Sequence, residues 1–373
     1  MLVVVGLLTV YTASFAVAYL EFGDTNYFVA RQAIYALVGV AALVFFMRMD
    51  YHRLRYLSVP MMLAALVGLL AVLVPGIGVE RNGAARWLDL GPITLQPSEF
   101  AKLAMIVYIS AWLASRGDDI NKFSMGFAPF VLMVGVVGSL VIVEPDMGTT
   151  IIIVLTTSTL FFVAGAPLSH LGLLFVSGGL ISWAMILVQD YRLDRLTSFV
   201  SPDADPQGSG FHILQLLIAL GSGGPAGLGW GASRQKFFYV PSAHTDGVFA
   251  IIGEELGFIG AVAILGLFAF LLYRALKTVL GSRDQFGTLL GVGIMSWVAY
   301  QALINIGGIT RTIPLTGIPL PFLSYGGSAL IAIMAAMGIL LSLSRFGRDR
   351  GYMDRPRSRR AGQRGRTLRR DLA

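Results

Sequence analysis

Charged residues are scarce in this chain, and four clusters at the ends of apolar runs are where any chemistry has to be sought. The densest is Ser233-Arg234-Gln235-Lys236, followed by His244-Thr245-Asp246 and then Glu254-Glu255. Arg234 and Lys236 are cations placed where an anionic head group would arrive. Asp246 stands just before an apolar run; from spacing alone, capping the helix that follows is its expected role, with catalysis the rival. Glu254 and Glu255 fall inside that run. Facing lipid they would be badly desolvated, so at least one must face a polar cavity or a cation.

The second cluster runs Asn82-Gly83-Ala84-Ala85-Arg86 and then Gln96-Pro97-Ser98-Glu99-Phe100-Ala101-Lys102. Glu99 and Lys102 are three apart at a helix start, so their side chains can meet. Either Ser98 caps the helix, Glu99 suits its dipole and Lys102 neutralises the acid, or the pair lines a polar cavity. Glu144-Pro145-Asp146 is the third cluster, between two apolar runs with almost no room for a loop. It reads as a tight turn with acids at a helix start, or as paired carboxylates able to hold a divalent cation. In the fourth, residues 305–328, Arg311, Pro314, Gly317, Pro319, Pro321 and Ser324-Tyr325-Gly326-Gly327-Ser328 form a stiff, non-helical segment. At membrane depth such a segment is tolerated only when buried in protein or lining a cavity. Its expected role is structural, with Arg311 available to neutralise phosphate.

The elements that must position these clusters are membrane helices. Of 373 residues, 55% are hydrophobic and 13% charged, with mean hydropathy +0.73, whereas a soluble domain carries roughly 25% charged residues. The expected fold is all-α and polytopic, with about ten transmembrane helices near residues 2–19, 33–46, 56–74, 100–114, 127–143, 149–166, 168–188, 249–272, 286–305 and 328–343. The first run lacks the basic flank of a signal peptide and is read as a span. Without cysteine, disulfides and thiolate metal sites are excluded.

Lys and Arg set the orientation. Arg48, Arg53 and Arg55, then Arg116 and Lys122, then Arg274, Lys277 and Arg283, and finally an arginine-rich tail all fall on one side. Both termini are therefore expected in the cytoplasm and the four clusters on the outer side. Residues 1–344 read as the membrane domain, with a large extracytoplasmic loop at about 189–248 between spans 7 and 8. Residues 345–373 read as a basic, disordered cytoplasmic tail. The net charge of +7 lies largely in that tail, which is assigned to anionic lipid rather than nucleic acid. Within the large loop, the part around Asp203, Asp205 and Gly208 is expected to be flexible, and residues 211–220 to form a short interfacial or tucked helix. Gly221 to Gly231 could cradle phosphate with backbone N–H groups, but a helix C-cap followed by an irregular turn accounts for it better.

Together these segments resemble the SEDS family of shape, elongation, division and sporulation proteins, typified by RodA and FtsW. The resemblance rests on Asn305-Ile306-Gly307 through Pro319-Leu320-Pro321-Phe322-Leu323-Ser324-Tyr325-Gly326-Gly327-Ser328 and covers nearly the whole chain. Gly221-Ser222-Gly223-Gly224 and Ser233 to Tyr239 look closer to the FtsW branch. Two departures are visible. The family commonly has an acid and an aromatic where this chain has Ser242 and Gly247, and Arg311 stands where a small residue is frequent.

The resemblance implies a peptidoglycan glycosyltransferase that polymerises lipid II at the outer face of the bacterial cytoplasmic membrane and releases undecaprenyl pyrophosphate. It implies Asp246 as the essential acid, acting as general base or metal ligand, and a class B penicillin-binding protein as the transpeptidase partner. Arg86, Glu99, Lys102, Arg234, Lys236, His244, Glu254, Glu255 and Ser324 are the candidate substrate-binding residues. A divalent ion, Mg or Mn, is compatible with candidate ligands Asp246, Glu144 and Asp146, although no preformed cage is legible. Two other readings stand beside this one. A lipid-linked precursor flippase would use Glu254 and Glu255 as a charged path, and a non-catalytic scaffold would need none of the chemistry.

Overall fold

The structure, a computed structural model, describes residues 1–353 except 82, 83, 90, 92, 93, 189 and 238. Its elements are α1 (Leu2–Phe22), α2 (Tyr27–Arg48), α3 (His52–Val72), β1 (Gly78–Arg81), β2 (Ala84–Asp89), β3 (Thr94–Leu95), α4 (Pro97–Leu113), α5 (Ala128–Val143) and α6 (Met147–Val163). There follow α7 (Leu168–Val188), α8 (Asp190–Val200), α9 (Phe211–Ser222), α10 (Val248–Leu280), α11 (Gln285–Ile309) and α12 (Gly327–Met353). All ten expected spans are present, as α1 to α7 and α10 to α12. Among the described residues, eight helical stretches are long and apolar enough to cross a bilayer, α5 being counted with the helical turn Phe123–Phe127 that leads into it.

The other two, α4 and α6, have 17 residues each, or about 25 Å. For α4 the shortness carries little cost, because nearly every side chain on it is buried in protein. With α11 and α12 it forms the middle of the bundle. In α11, 72% of the apolar window is buried, whereas in α7 the figure is 11%. Leu173, Val176, Leu180 and Trp183 of α7 are exposed accordingly, and a bilayer accepts such a face without polar cover. Small residues let the inner helices approach: a Cβ on Gly338 would collide with the Leu43 carbonyl of α2.

Turns gather at two ends of the bundle. At one, the Tyr51 hydroxyl donates to Asp284 across the α2–α3 and α10–α11 turns, and Ser342 Oγ donates to Met49 O at 2.6 Å. At the other, the Phe28 ring lies 4.5 Å from that of His244 and 5.1 Å from that of Tyr325. Arg86 reaches the α5–α6 turn at this same end. The four charged clusters thus share an end, as their placement between spans requires.

Three segments differ from expectation. The stretch before α4 is a three-stranded antiparallel sheet in the order β1-β2-β3, with Gly78 opposite Leu88 and Leu88 opposite Leu95. Alternation over so few residues was too short to read. The first part of the large loop is folded rather than flexible: it contains α8, and Asp205 accepts from the Gly208 and Ser209 amides at 3.0 and 2.9 Å. Its second part forms α9, as expected. Finally, α12 continues to Met353, so residues 345–353 of the expected tail are helical. Residues 354–373, like Asn82 and Gly83 of the second cluster, lie outside the described residues.

Candidate active site

Asp246 is held by its backbone. Its carbonyl accepts from Asn305 Nδ2 at 3.0 Å, and the same amide nitrogen donates to Ile318 O at 2.7 Å, which ties α11 to both loops. Capping does not occupy the carboxylate, because Gly247 takes the N-cap position of α10 and no side-chain cap bond forms. The Thr245 hydroxyl lies 3.0 Å from both the Ser242 carbonyl and Asp246 Oδ1. Ser242 closes this turn in the left-handed region, at φ 54°. A Cβ on Gly247 would press to 3.1 Å from Val240 Cγ1 and 3.2 Å from Ala243 Cα, so the packing itself favours glycine there.

Two further side chains meet Asp246 from elements whose chemistry was not singled out in the sequence. A Cβ on Gly317 would stand 3.7 Å from Asp246 Oδ2 and 3.8 Å from Arg195 Nη2, so carboxylate and guanidinium both border that glycine. Gly317 has φ 72°, which discourages any other residue. Arg195, on α8, also donates to Leu315 O at 3.3 Å. Arg311 returns the clasp, its Nε and Nη2 donating to Phe199 O and Val200 O at 3.0 Å each. Arg311 therefore caps the C-terminus of α8. His212, on α9, completes the group. Burial holds its imidazole below the usual range, with Asp246 opposing and Arg195 reinforcing the shift. Its Nε2 is buried without a hydrogen-bond partner. The sequence offered little signal for Arg195, which lies in a stretch read as irregular loop.

Glu99 and Lys102 pair at 2.9 Å with side chains only 3% and 2% exposed. Lys102 Nζ also donates to Gln301 Oε1 at 3.0 Å, and Trp297 Nε1 donates to the same oxygen at 2.8 Å. Gln301 Nε2 then donates to Pro319 O at 3.0 Å. This network joins α4, α11 and the proline-rich segment through the middle of the bundle. Ser324 belongs to that segment's own folding: its Oγ accepts from the Leu320 amide at 2.8 Å and its carbonyl from Gln32 Nε2 at 3.2 Å.

The third charged group is closed as well. Lys236 pairs with Glu255 at 2.9 Å and donates to Gly231 O at 2.6 Å. Glu254 accepts from Ser233 Oγ at 2.5 Å and from the Arg234 amide at 2.9 Å. These acids sit where α10 breaks at Gly257, at φ 66° and ψ −166°. The break leaves backbone groups without helical partners, and the glycine run supplies them. Leu228 and Gly229 amides donate to the Glu254 and Glu255 carbonyls at 3.0 Å, while Phe258 and Ile259 amides donate to Gly224 O and Pro225 O at 2.8 and 3.1 Å. Contacts this tight exclude side chains: a Cβ on Gly227 or Gly257 would strike the facing backbone. The run therefore satisfies a broken helix instead of cradling phosphate. Lys102 and Lys236 are likewise enclosed, each in an internal ion pair. Arg234 keeps an exposed side chain.

Arg86 donates from Nε to Glu144 O at 2.9 Å and from Nη2 to Pro145 O at 2.5 Å, pinning the α5–α6 turn. Asp146 caps α6: Oδ1 accepts from the Thr149 amide at 3.0 Å, and Oδ2 from the Thr149 hydroxyl at 2.8 Å. Glu144 is fully buried with neither oxygen hydrogen-bonded. Burial, then the Asp146 charge, push its carboxyl up to about 8, with Arg86 opposing. No group of three or more His, Asp or Glu among the described residues could hold a metal. These residues do not form a metal cage. His244 stacks near Phe28 and Tyr325, and burial pushes its imidazole down to about 4, so it is neutral at physiological pH.

The comparisons with known proteins agree on one kinship. Residues 1–349 match the family model for FtsW, RodA and SpoVE, described as "Cell cycle protein". Stage V sporulation protein E of Bacillus subtilis (strain 168) is 44% identical over 351 residues, covering 93% of this chain and 95% of that protein. The probable peptidoglycan glycosyltransferase FtsW of Trichlorobacter lovleyi is 40% identical over 344 residues, 91% of this chain and 89% of the relative. Among solved structures, a chain of a peptidoglycan synthase complex aligns with TM-score 0.75 at 28% identity, over 92% of this chain and 97% of that one. The rod shape determining protein RodA of Thermus thermophilus aligns with TM-score 0.69 at 28% identity, over 93% and 94%.

Proposed function

The chain belongs to the FtsW, RodA and SpoVE family, a group of multi-pass bacterial membrane proteins, and from that premise we propose that it is a peptidoglycan glycosyltransferase. It polymerises lipid II into β-1,4-linked glycan strands. The basic turns face the cytoplasm, in keeping with the Lys and Arg bias, and Asp246 faces the outer side of the cytoplasmic membrane.

Asp246 is the general base. It removes the proton from the acceptor sugar's 4-hydroxyl as that oxygen attacks the donor's anomeric carbon, a role worth about 10²- to 10⁴-fold. The bond from that carbon to the diphosphate breaks, undecaprenyl diphosphate leaves, and inversion gives the β-linkage. Negative charge develops on the leaving group, which calls for preorganised cations. A divalent ion such as Mg or Mn, carried by the diphosphate, would add to them; no step here depends on a resident metal. The observation that carries this reading is the carboxylate of Asp246, fixed through its backbone by Asn305 yet left out of helix capping.

Transport drew its support from Glu254 and Glu255. Their engagement with Ser233, the Arg234 amide and Lys236 removes the observation that favoured it. The similarity to a chain from a complex that coordinates polymerization and crosslinking supports a class B penicillin-binding protein as partner. The deciding experiment is polymerisation of purified lipid II by the full chain, alone and with that partner, against Asp246→Ala. Glycan strands from the parent and none from the variant are expected; equal output from both would remove Asp246 from the reaction.

A further inference from the structure

We propose that Arg195 binds the diphosphate of the lipid-linked substrate beside Gly317, the glycine that the Asp246 carboxylate also borders. The inference rests on the glycosyl-transfer reading for its ligand, but its geometry stands independently. Arg195 Nη2 and Asp246 Oδ2 each lie under 4 Å from the point where a Cβ would leave Gly317.

The guanidinium is also preorganised. Its Nη1 is anchored to Leu315 O, and α8, which carries it, is held to the same segment from the other side by Arg311. His212 Nε2, buried and without a hydrogen-bond partner, adds a further polar atom in the electrostatic field of the same two groups. A planar guanidinium matches two phosphate oxygens at once, which an ammonium cannot do. When the anomeric carbon–oxygen bond breaks, its electron pair passes to the diphosphate oxygen, and Arg195 neutralises the charge while Asp246 retains the acceptor's proton.

The test is binding of geranylgeranyl diphosphate to the full chain in detergent, with geranylgeraniol as the uncharged control. Arg195→Ala should weaken diphosphate binding about tenfold or more and leave the alcohol unaffected. Arg195→Lys should lie between the two and serves alone if the alanine variant does not fold. Arg311→Ala loosens the same clasp without removing the cation beside Asp246, and should bind diphosphate within about threefold of the parent. Parent-like binding by the Arg195 variants, or equal losses from Arg195 and Arg311, would overturn the assignment. Because no turnover is read, failed polymerisation would sink the functional reading without touching this one.

Discussion

Glu254 accepts from Ser233 Oγ and loop amides, and Glu255 closes on Lys236, whereas Asp246, just ahead of the same helix, turns Oδ2 toward Gly317 and Arg195. The first region is answered largely from within: a helix break, two acids, a lysine and a glycine run satisfy one another. The second is held rigidly by its backbone while its side chains meet beside a glycine. Acids in the membrane region are thus divided between architecture and chemistry by how fully the protein itself answers them.

The comparison breaks most sharply at Asp246. Asp246→Asn should lower lipid II polymerisation by about 10²- to 10⁴-fold while the melting temperature in detergent stays close to the parent's. A large fall in melting temperature would mean that Asp246 belongs to the architecture after all. In the first region, Lys236→Ala leaves Glu255 buried without its cation and should destabilise by about 3–5 kcal/mol, read as a large drop in thermal midpoint. Replacing both as Lys236→Met with Glu255→Leu should recover much of that loss, since no charge is then stranded.

A smaller effect is expected where the broken helix meets the glycine run. Gly257→Ala introduces a Cβ at φ 66° against the facing backbone and should cost on the order of 2 kcal/mol, measured by thermal unfolding. Retention of parental stability would show that the break is not needed. An effect confined to the alkaline side of the pH range is expected at Glu144. Its folded carboxyl is raised from 4.5 to about 8, so folding takes up a proton there. Stability from this group is complete below the unfolded value and is lost as pH rises toward about 8. Glu144→Gln should therefore match the parent near about pH 5 and melt a few degrees higher near about pH 9. The reverse order would mean that Glu144 is ionised and paired in the folded state.

Much of this was legible in the residues. Hydropathy alone placed all ten spans and α9, and spacing placed the Glu99–Lys102 contact and acids at the start of α6 among the open readings. The short strands and α8 escaped because neither carries a long periodic pattern: three strands of two to six residues, and one helix whose sequence is more polar than apolar. Arg195 escaped with α8. A cation in a polar stretch has no signature until the chain brings Gly317 and Asp246 beside it.

The sequence by itself determined the class of molecule and where charge collects along it, because transfer of side chains into a bilayer is a local property summed over some twenty residues. It also determined that Asp246 stands at a helix start. Only the tertiary structure decided which charges are answered from within. Gln301 reaches Lys102, Lys236 reaches Glu255, and Arg195 reaches the edge of Asp246 from elements distant in sequence. The fate of a buried charge depends on the partner that packing delivers, and no local pattern encodes that partner.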